Sequence, residues 1–301
     1  MTQAVGAART DRDGPRGAEP LFGRMSGRRN SPRRSVQGPY PLIIALHGGT
    51  YSSAYFDLPG YALLDTAEAL DLPVLAVDRP GYGASAPLPV GKDTLRGNAD
   101  FLAKELKAAW DQHGGEAQGV FLIGHSIGAG IAMMIAAQAL DWPLLGLAVS
   151  GVGLRTPDQS RDAWAALPDT PFVELPAAIK DEVMFGPPGS FGPDMPVASH
   201  AADAPVPRTE ILDIVTTWHH DVGEVASRIR APIHYRQAEH DRLWIVDEGE
   251  VRGFAAALSA SARVDAAMLK DTGHCIDFHR LGLSLQVQQL GFAIQCAVQH
   301  G

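Results

Sequence analysis

The sequence predicts an α/β fold, a mostly parallel central sheet flanked by helices. Three observations carry this. Short apolar runs such as Pro41–Leu46, Leu72–Val77 and Val120–Ile123 suit strands buried on both faces. They alternate with segments of helical period. At the centre, Val120–Ala139 reads as a buried strand, an abrupt turn and a helix of small apolar residues. With 301 residues, 46% of them apolar and 20% charged, the chain has room for one large domain with an insertion.

In order, residues 1–38 are rich in Arg, Gly, Ser and Pro. They predict a mostly disordered basic tail with one edge strand near Leu21–Met25. This tail carries no catalytic candidate and is expected to be dispensable for activity. Pro41–Leu46 is the first central strand and ends in His47-Gly48-Gly49-Thr50. A helix is expected near Tyr61–Leu70. The strand Leu72–Asp78 follows, with a turn-rich loop, Asp78–Ser85. Leu95, Phe101, Leu102, Leu106 and Trp110 fall near one face of a helix over Thr94–His113. After the central strand and helix, Leu144–Val149 is the next strand.

At Arg155 the rhythm breaks into prolines, a Gly-Pro-Pro-Gly turn at 186–189 and short helical pieces such as Glu210–Thr217. Unstructured stretches this long in a compact domain are usually functional. Residues 156–230 therefore read as a cap inserted after the sixth strand, with the core formed by 39–155 and 231–301. Pro232–Ala238 and Arg263–Leu269 resume the strands, with helices near Glu248–Ser259 and Leu281–Val298.

The net charge of −9 is uneven: eight Arg against Asp11, Asp13 and Glu19 give residues 1–38 a charge of +5, leaving −14 on the rest. An acidic body argues against nucleic acid as a partner. Two cysteines, Cys275 and Cys296, make neither a disulfide framework nor a metal-ligand spacing. No apolar leader or bilayer-length apolar segment is evident, so the expectation is a cytoplasmic protein with no membrane span. The expected partner is a small-molecule substrate, and the composition is compatible with a homodimer. No metal or organic cofactor is expected.

Gly124-His125-Ser126-Ile127-Gly128 has the G-x-S-x-G spacing, which puts Ser126 on a sharp strand-to-helix bend. The alternative is a plain turn with serine as helix cap. A serine nucleophile needs a base, and the base an orienting acid. In a parallel sheet such groups gather past the carboxyl ends of strands. Past Ala238 come Glu239, His240 and Asp241; past Leu269 come Asp271 and His274. Ser126, Asp241 and His274 follow in the order Ser…Asp…His, with Glu239 the rival acid.

These motifs resemble the α/β-hydrolase superfamily. The resemblance spans about Pro41–Leu154 and Pro232–Val298. It rests on His47-Gly48-Gly49, Asp78-Arg79-Pro80-Gly81-Tyr82-Gly83-Ala84-Ser85, Gly124–Gly128 and Gly273-His274. It implies Ser126 as nucleophile, Asp241 as acid, His274 as base, and an oxyanion hole from the N–H groups of Ile127 and Gly49, with Thr50 the second choice to Gly49. Where many relatives carry glycine, this chain has Ala238. The implied activity is hydrolysis of an ester or thioester of a small, largely apolar substrate. Other chemistry on the same triad, such as C–C bond hydrolysis, acyl transfer or a lyase step, stays open, as does a weakly catalytic binding protein.

Other candidates have two readings each. Thr50, His125, Trp244, Met184 and Phe185 are candidates for the substrate pocket, as are Trp164 and Trp218; each is equally explicable as core. His47 is expected to brace the loop that follows it. His219-His220 reads as a solvated pair rather than a metal site. Cys275 reads as a structural thiol, and Asp277 as a cap of the last helix.

Overall fold

The structure, a computed structural model, describes residues 12–33, 38–89, 91 and 94–300. Its strands in chain order are β1 Glu19–Phe22, β2 Met25–Arg29, β3 Leu42–Leu46, β4 Val74–Val77, β5 Val120–His125, β6 Leu144–Ser150, β7 Phe172–Val173, β8 Val206–Pro207, β9 Ile233–Ala238 and β10 Val264–Leu269. The helices are α1 Leu63–Ala69, α2 Leu95–His113, α3 Ile127–Ala136, α4 Asp158–Ala165, α5 Ala177–Met184, α6 Met195–Ser199, α7 Arg208–Thr216, α8 Trp218–Arg228, α9 Glu248–Ala257 and α10 Gly282–His300. The eight-stranded sheet runs β1-β2-β4-β3-β5-β6-β9-β10. From β4 to β10 every pairing is parallel; β1 and β2 pair antiparallel at one edge.

The run Leu42–Leu46 is apolar throughout because both its faces are covered. Leu42, Ile44 and Leu46 turn into one core with α2, α3, α8 and α9. Ile43 and Ala45 turn into another with α1 and α10. Side chains alternating across the pleat thus feed two helix layers. After β3 the chain moves outward to β4, then crosses to β5 on the other side of β3. The β3/β5 boundary is the switch point of the sheet, where a crevice opens at the carboxyl ends.

Two expectations are corrected. The N-terminal segment is not a disordered tail over the residues described: β1 and β2 form a hairpin whose Leu21, Phe22 and Met25 enter the core. Arg12 and Arg16 pair with Asp57 and Asp65, and the Asp57 side chain has no exposure. The arginines serve a buried acid rather than solvent. Residues 1–11 and 34–37, also read as tail, lie outside the described residues.

The segment read as one insertion, 156–230, also divides. Residues 156–217 carry α4 to α7 and a separate antiparallel pair, β7 with β8, and add no strand to the main sheet. The α8 helix instead buries Trp218, Val222, Val225 and Ala226, one face at helical spacing, in the core with α3 and α9.

Candidate active site

Ser126 occupies the turn between β5 and α3 with φ 55° and ψ −124°. That is strained for a residue with a side chain, and such strain persists only where neighbours enforce it. A Cβ on Gly124 would lie 2.6 Å from the Gly128 carbonyl oxygen, and one on Gly128 would lie 2.2 Å from that of Leu46. The two glycines therefore let α3 start directly against β3 and β5. The Ser126 N–H is tied to the Ser150 carbonyl at 2.8 Å.

Three side chains from three strand ends meet here. His274 Nε2 is 2.9 Å from Ser126 Oγ, and His274 Nδ1 is 2.8 Å from Asp241 Oδ2. The Asp241 side chain is fully buried, and its other oxygen accepts the Leu243 N–H at 2.9 Å. A carboxylate accepts only, so Nδ1 carries the proton and Nε2 is left to accept the serine hydroxyl. Glu239 turns away: its carboxylate accepts from the Asp271 N–H at 2.9 Å and Lys270 Nζ at 3.2 Å, which hold its pKa below the usual value.

Gly49 and Thr50 face Ile127 across the same space. A Cβ on Gly49 would sit 2.9 Å from Ile127 Cδ1, so a side chain there would push the tip of Ile127 aside. Ile127 opens α3, where backbone N–H groups lack intrahelical partners and the helix dipole favours negative charge. Arg79 donates to the carbonyls of His47 at 2.8 Å and Gly48 at 3.0 Å, fixing this loop from below. His47 accepts the Arg79 N–H through Nε2 and donates through Nδ1 to Gly48 O. Burial and the Arg79 charge keep it well below its ordinary pKa, so it braces the loop as a neutral ring.

A cavity of about 50 Å³ adjoins Ser126. Its walls are Gly49, Thr50, Ile127, Thr156, Leu243 and Trp244, with Trp164 from α4, Met184 from α5 and Ile211, Ile214 and Val215 from α7. Of the pocket candidates, Thr50, Met184, Trp164 and Trp244 thus line it.

Three candidates do not. His125 points into the core behind His274, stacked on Tyr55 with centroids 4.7 Å apart. As the last residue of β5, directly before Ser126, it faces the opposite way from the serine; burial drives its pKa well below the ordinary histidine value. Phe185 packs on Phe191 and Phe278 instead. Trp218 is buried in the main core, donating to Gly153 O at 2.9 Å. Cys275 is buried beside Tyr51, its thiol pushed up by desolvation. Asp277 does not cap α10 with its side chain; it accepts from Tyr55 Oη at 3.0 Å and Gln286 Nε2 at 3.3 Å, and burial raises its pKa to about 6.

Sequence reading missed two buried groups that hold the loop from the inserted segment: Glu210 on α7, paired with Arg79, and Lys180 on α5, bound to the Thr50 carbonyl at 2.7 Å. Neither belongs to a motif. Among the described residues, one trio could gather round a metal ion: Glu239, His240 and Asp271, on the surface, with Glu239 already engaged by Lys270. No described helix is long and apolar enough to cross a membrane.

No curated protein matches this sequence. Solved structures do match. A thermophilic esterase from Thermogutta terrifontis is 16% identical, with a TM-score of 0.64 over 91% of this chain and 94% of that one. A monoacylglycerol lipase from Paleococcus ferrophilus is 17% identical, with a TM-score of 0.62 over 89% and 98%. A lipase-esterase related protein from Clostridium acetobutylicum is 16% identical, with a TM-score of 0.63 over 91% and 98%. At these identities the likeness is one of fold. The sequence profile of the alpha/beta hydrolase family matches residues 43–281, most of the chain, and to that family the chain belongs.

Proposed function

We propose that the protein is a serine hydrolase that cleaves a carboxylic ester or thioester of a small, largely apolar substrate through an acyl-enzyme on Ser126. The observation that carries this reading is the unbroken buried line Asp241–His274–Ser126, with links of 2.8 and 2.9 Å. The esterase and lipases among the structural neighbours support it.

His274 takes the hydroxyl proton on Nε2 as Ser126 Oγ attacks the carbonyl, and Asp241 holds the imidazolium so formed. The carbonyl oxygen gains charge beside the N–H groups of Ile127 and Gly49, which are fixed before reaction and so cost no reorganisation. His274 then returns the proton to the leaving alcohol or thiol. Water, deprotonated by the same histidine, releases the acid. Residues 156–217 act as a cap in this reading, with Trp164, Met184 and the Ile211/Ile214/Val215 face of α7 receiving the apolar part of the substrate.

Pre-steady-state hydrolysis of short nitrophenyl esters tests the proposal. A burst of nitrophenol equal to the enzyme concentration is the expected result, abolished in Ser126→Ala. Turnover near wild type in Ser126→Ala would sink it; tight ligand binding without turnover by the wild type would favour a binding protein.

A further inference from the structure

Gln237, the penultimate residue of β9, is polar where its strand neighbours are not. It shares a face of the sheet with Ile233 and Tyr235, which enter the main core, and it is 2% exposed. Its amide ends beside Asp241. Nε2 donates at 3.3 Å to Asp241 Oδ2, the oxygen that also accepts His274 Nδ1–H at 2.8 Å. The amide has one sensible orientation. Turned over, it would set its carbonyl oxygen against a carboxylate, and neither group has a proton to give. In the orientation that bonds, Oε1 is buried with no hydrogen-bond partner among the described residues.

That orphan oxygen argues against a role in stability. A hydrogen bond to a charged acceptor favours the fold, and a buried amide oxygen left unmet costs about as much. Methionine or leucine would fill the place with nothing unmet, so the glutamine calls for another explanation. The surroundings of Asp241 supply one. Its buried carboxylate has three donors: the Leu243 N–H on Oδ1, and His274 and Gln237 on Oδ2. Leu243 lies two residues away on the same loop and moves with it. His274 is the group that Asp241 has to orient. Among the described residues, Gln237 is the one donor that reaches the carboxylate from a strand. Groups held by strands are placed more precisely than groups on loops, so a donor there fixes where the acid of the loop stands.

We propose that Gln237 is a positioning residue, whose amide anchors Asp241 to β9 and sets the angle at which the carboxylate meets His274. The inference rests on the serine-hydrolase reading above. Gln237 touches no reacting atom and exchanges no proton. It acts through Asp241 on the imidazole, so its contribution falls on kcat rather than on KM.

The test uses Gln237→Met, which keeps the volume and removes the donor, assayed on a short nitrophenyl ester. Proton NMR of the His274 Nδ1–H and urea denaturation run alongside. Small misplacements of catalytic groups are costly, so kcat should fall on the order of 10-fold with KM nearly unchanged. The Nδ1–H resonance should broaden as the bond to Asp241 loosens, and the denaturation midpoint should stay at or above that of the wild type. In an Asp241→Ala background the same substitution should cost nothing further, because the group it acts through is gone. Gln237→Leu takes the place of Gln237→Met if the latter does not fold. Unchanged kcat and resonance in Gln237→Met overturn the inference, and so does a second loss of equal size in the Asp241→Ala background. Ser126→Ala separates the two levels. If it is inactive while Gln237→Met matches the wild type, the role of Gln237 falls and the serine mechanism stands; if it is active, both fall.

Discussion

Arg79 and Glu210 form a two-pronged ion pair, with nitrogen–oxygen distances of 2.6 and 2.7 Å and no exposure on either side chain. Arg79 leaves β4 and Glu210 sits on α7, so the pair ties the helix that walls the cavity to the loop carrying Gly48 and Gly49. Tyr82 adds a hydrogen bond to Glu210 at 2.9 Å. Removing one partner from a buried pair strands the other charge, so Glu210→Ala should cost about 3–5 kcal/mol. Urea denaturation of this variant measures the loss. A change within about 0.5 kcal/mol, the ordinary range of a surface substitution, would mean the pair holds nothing together.

The acid is tested by a matched pair of substitutions. Asp241→Asn should keep the fold, favour the wrong histidine tautomer and lose roughly 10⁴ in kcat. Glu239→Gln changes a partly exposed carboxylate that faces Lys270, and should lose little. The reverse ranking in steady-state assays would move the acid to Glu239.

Trp164 and Phe185 separate pocket from core. Trp164 lines the cavity, while Phe185 is packed among Phe191 and Phe278. Trp164→Ala should shift preference toward longer acyl chains in a series of nitrophenyl esters. Phe185→Ala should instead cost about 3–5 kcal/mol of stability with chain-length preference kept. A profile that Trp164→Ala leaves unmoved would assign that wall another role.

His279 makes stability depend on acid. Its Nε2 accepts the N–H groups of Gly186 at 3.0 Å and Gly273 at 2.9 Å, and its Nδ1–H donates to Cys275 O. Burial lowers its pKa from 6.5 to about 4. Between those values the unfolded chain binds a proton that the folded chain refuses. The stabilisation is therefore complete above the unfolded value and lost as pH falls through the window, by about 3 kcal/mol in all. His279→Gln should be less stable at pH 7 yet lose less between pH 7 and 4.5. Parallel curves of denaturation midpoint against pH would clear His279 of the effect.

The hairpin β1–β2 makes the N-terminal segment structural. It covers the edge of β4, buries Leu21, Phe22 and Met25, and ties Ser26 to Asp78 through a 3.0 Å hydrogen bond. A chain beginning at Gly38 should lose on the order of 5 kcal/mol from the three apolar side chains alone. It should also expose a strand edge open to aggregation. Soluble protein with an unchanged melting temperature would restore the reading of a dispensable tail.

The sequence by itself determined the sheet and the residues at its carboxyl edge. Apolar runs such as Leu42–Leu46 are long-range facts written locally, because burial on both faces leaves no position for a polar residue. Ser126, Asp241 and His274 were legible for a related reason: topology carries successive strand ends to one edge, so order along the chain fixes which residues can meet. Between Asp241 and Glu239 the sequence favoured Asp241 only as the later residue of the loop. Two residues apart on a loop, they are separated only by its course, which turns one toward His274 and the other toward Lys270. Chain distance hid more. Arg79 and Glu210 stand 131 positions apart and Lys180 and Thr50 stand 130 apart, and no local pattern marks either pair. His125 and Phe185 failed as pocket residues because hydrophobicity reports burial but not which side of the sheet receives the ring. Tertiary structure alone decides such matters, since a charge or a ring is placed by whatever the rest of the chain packs against it.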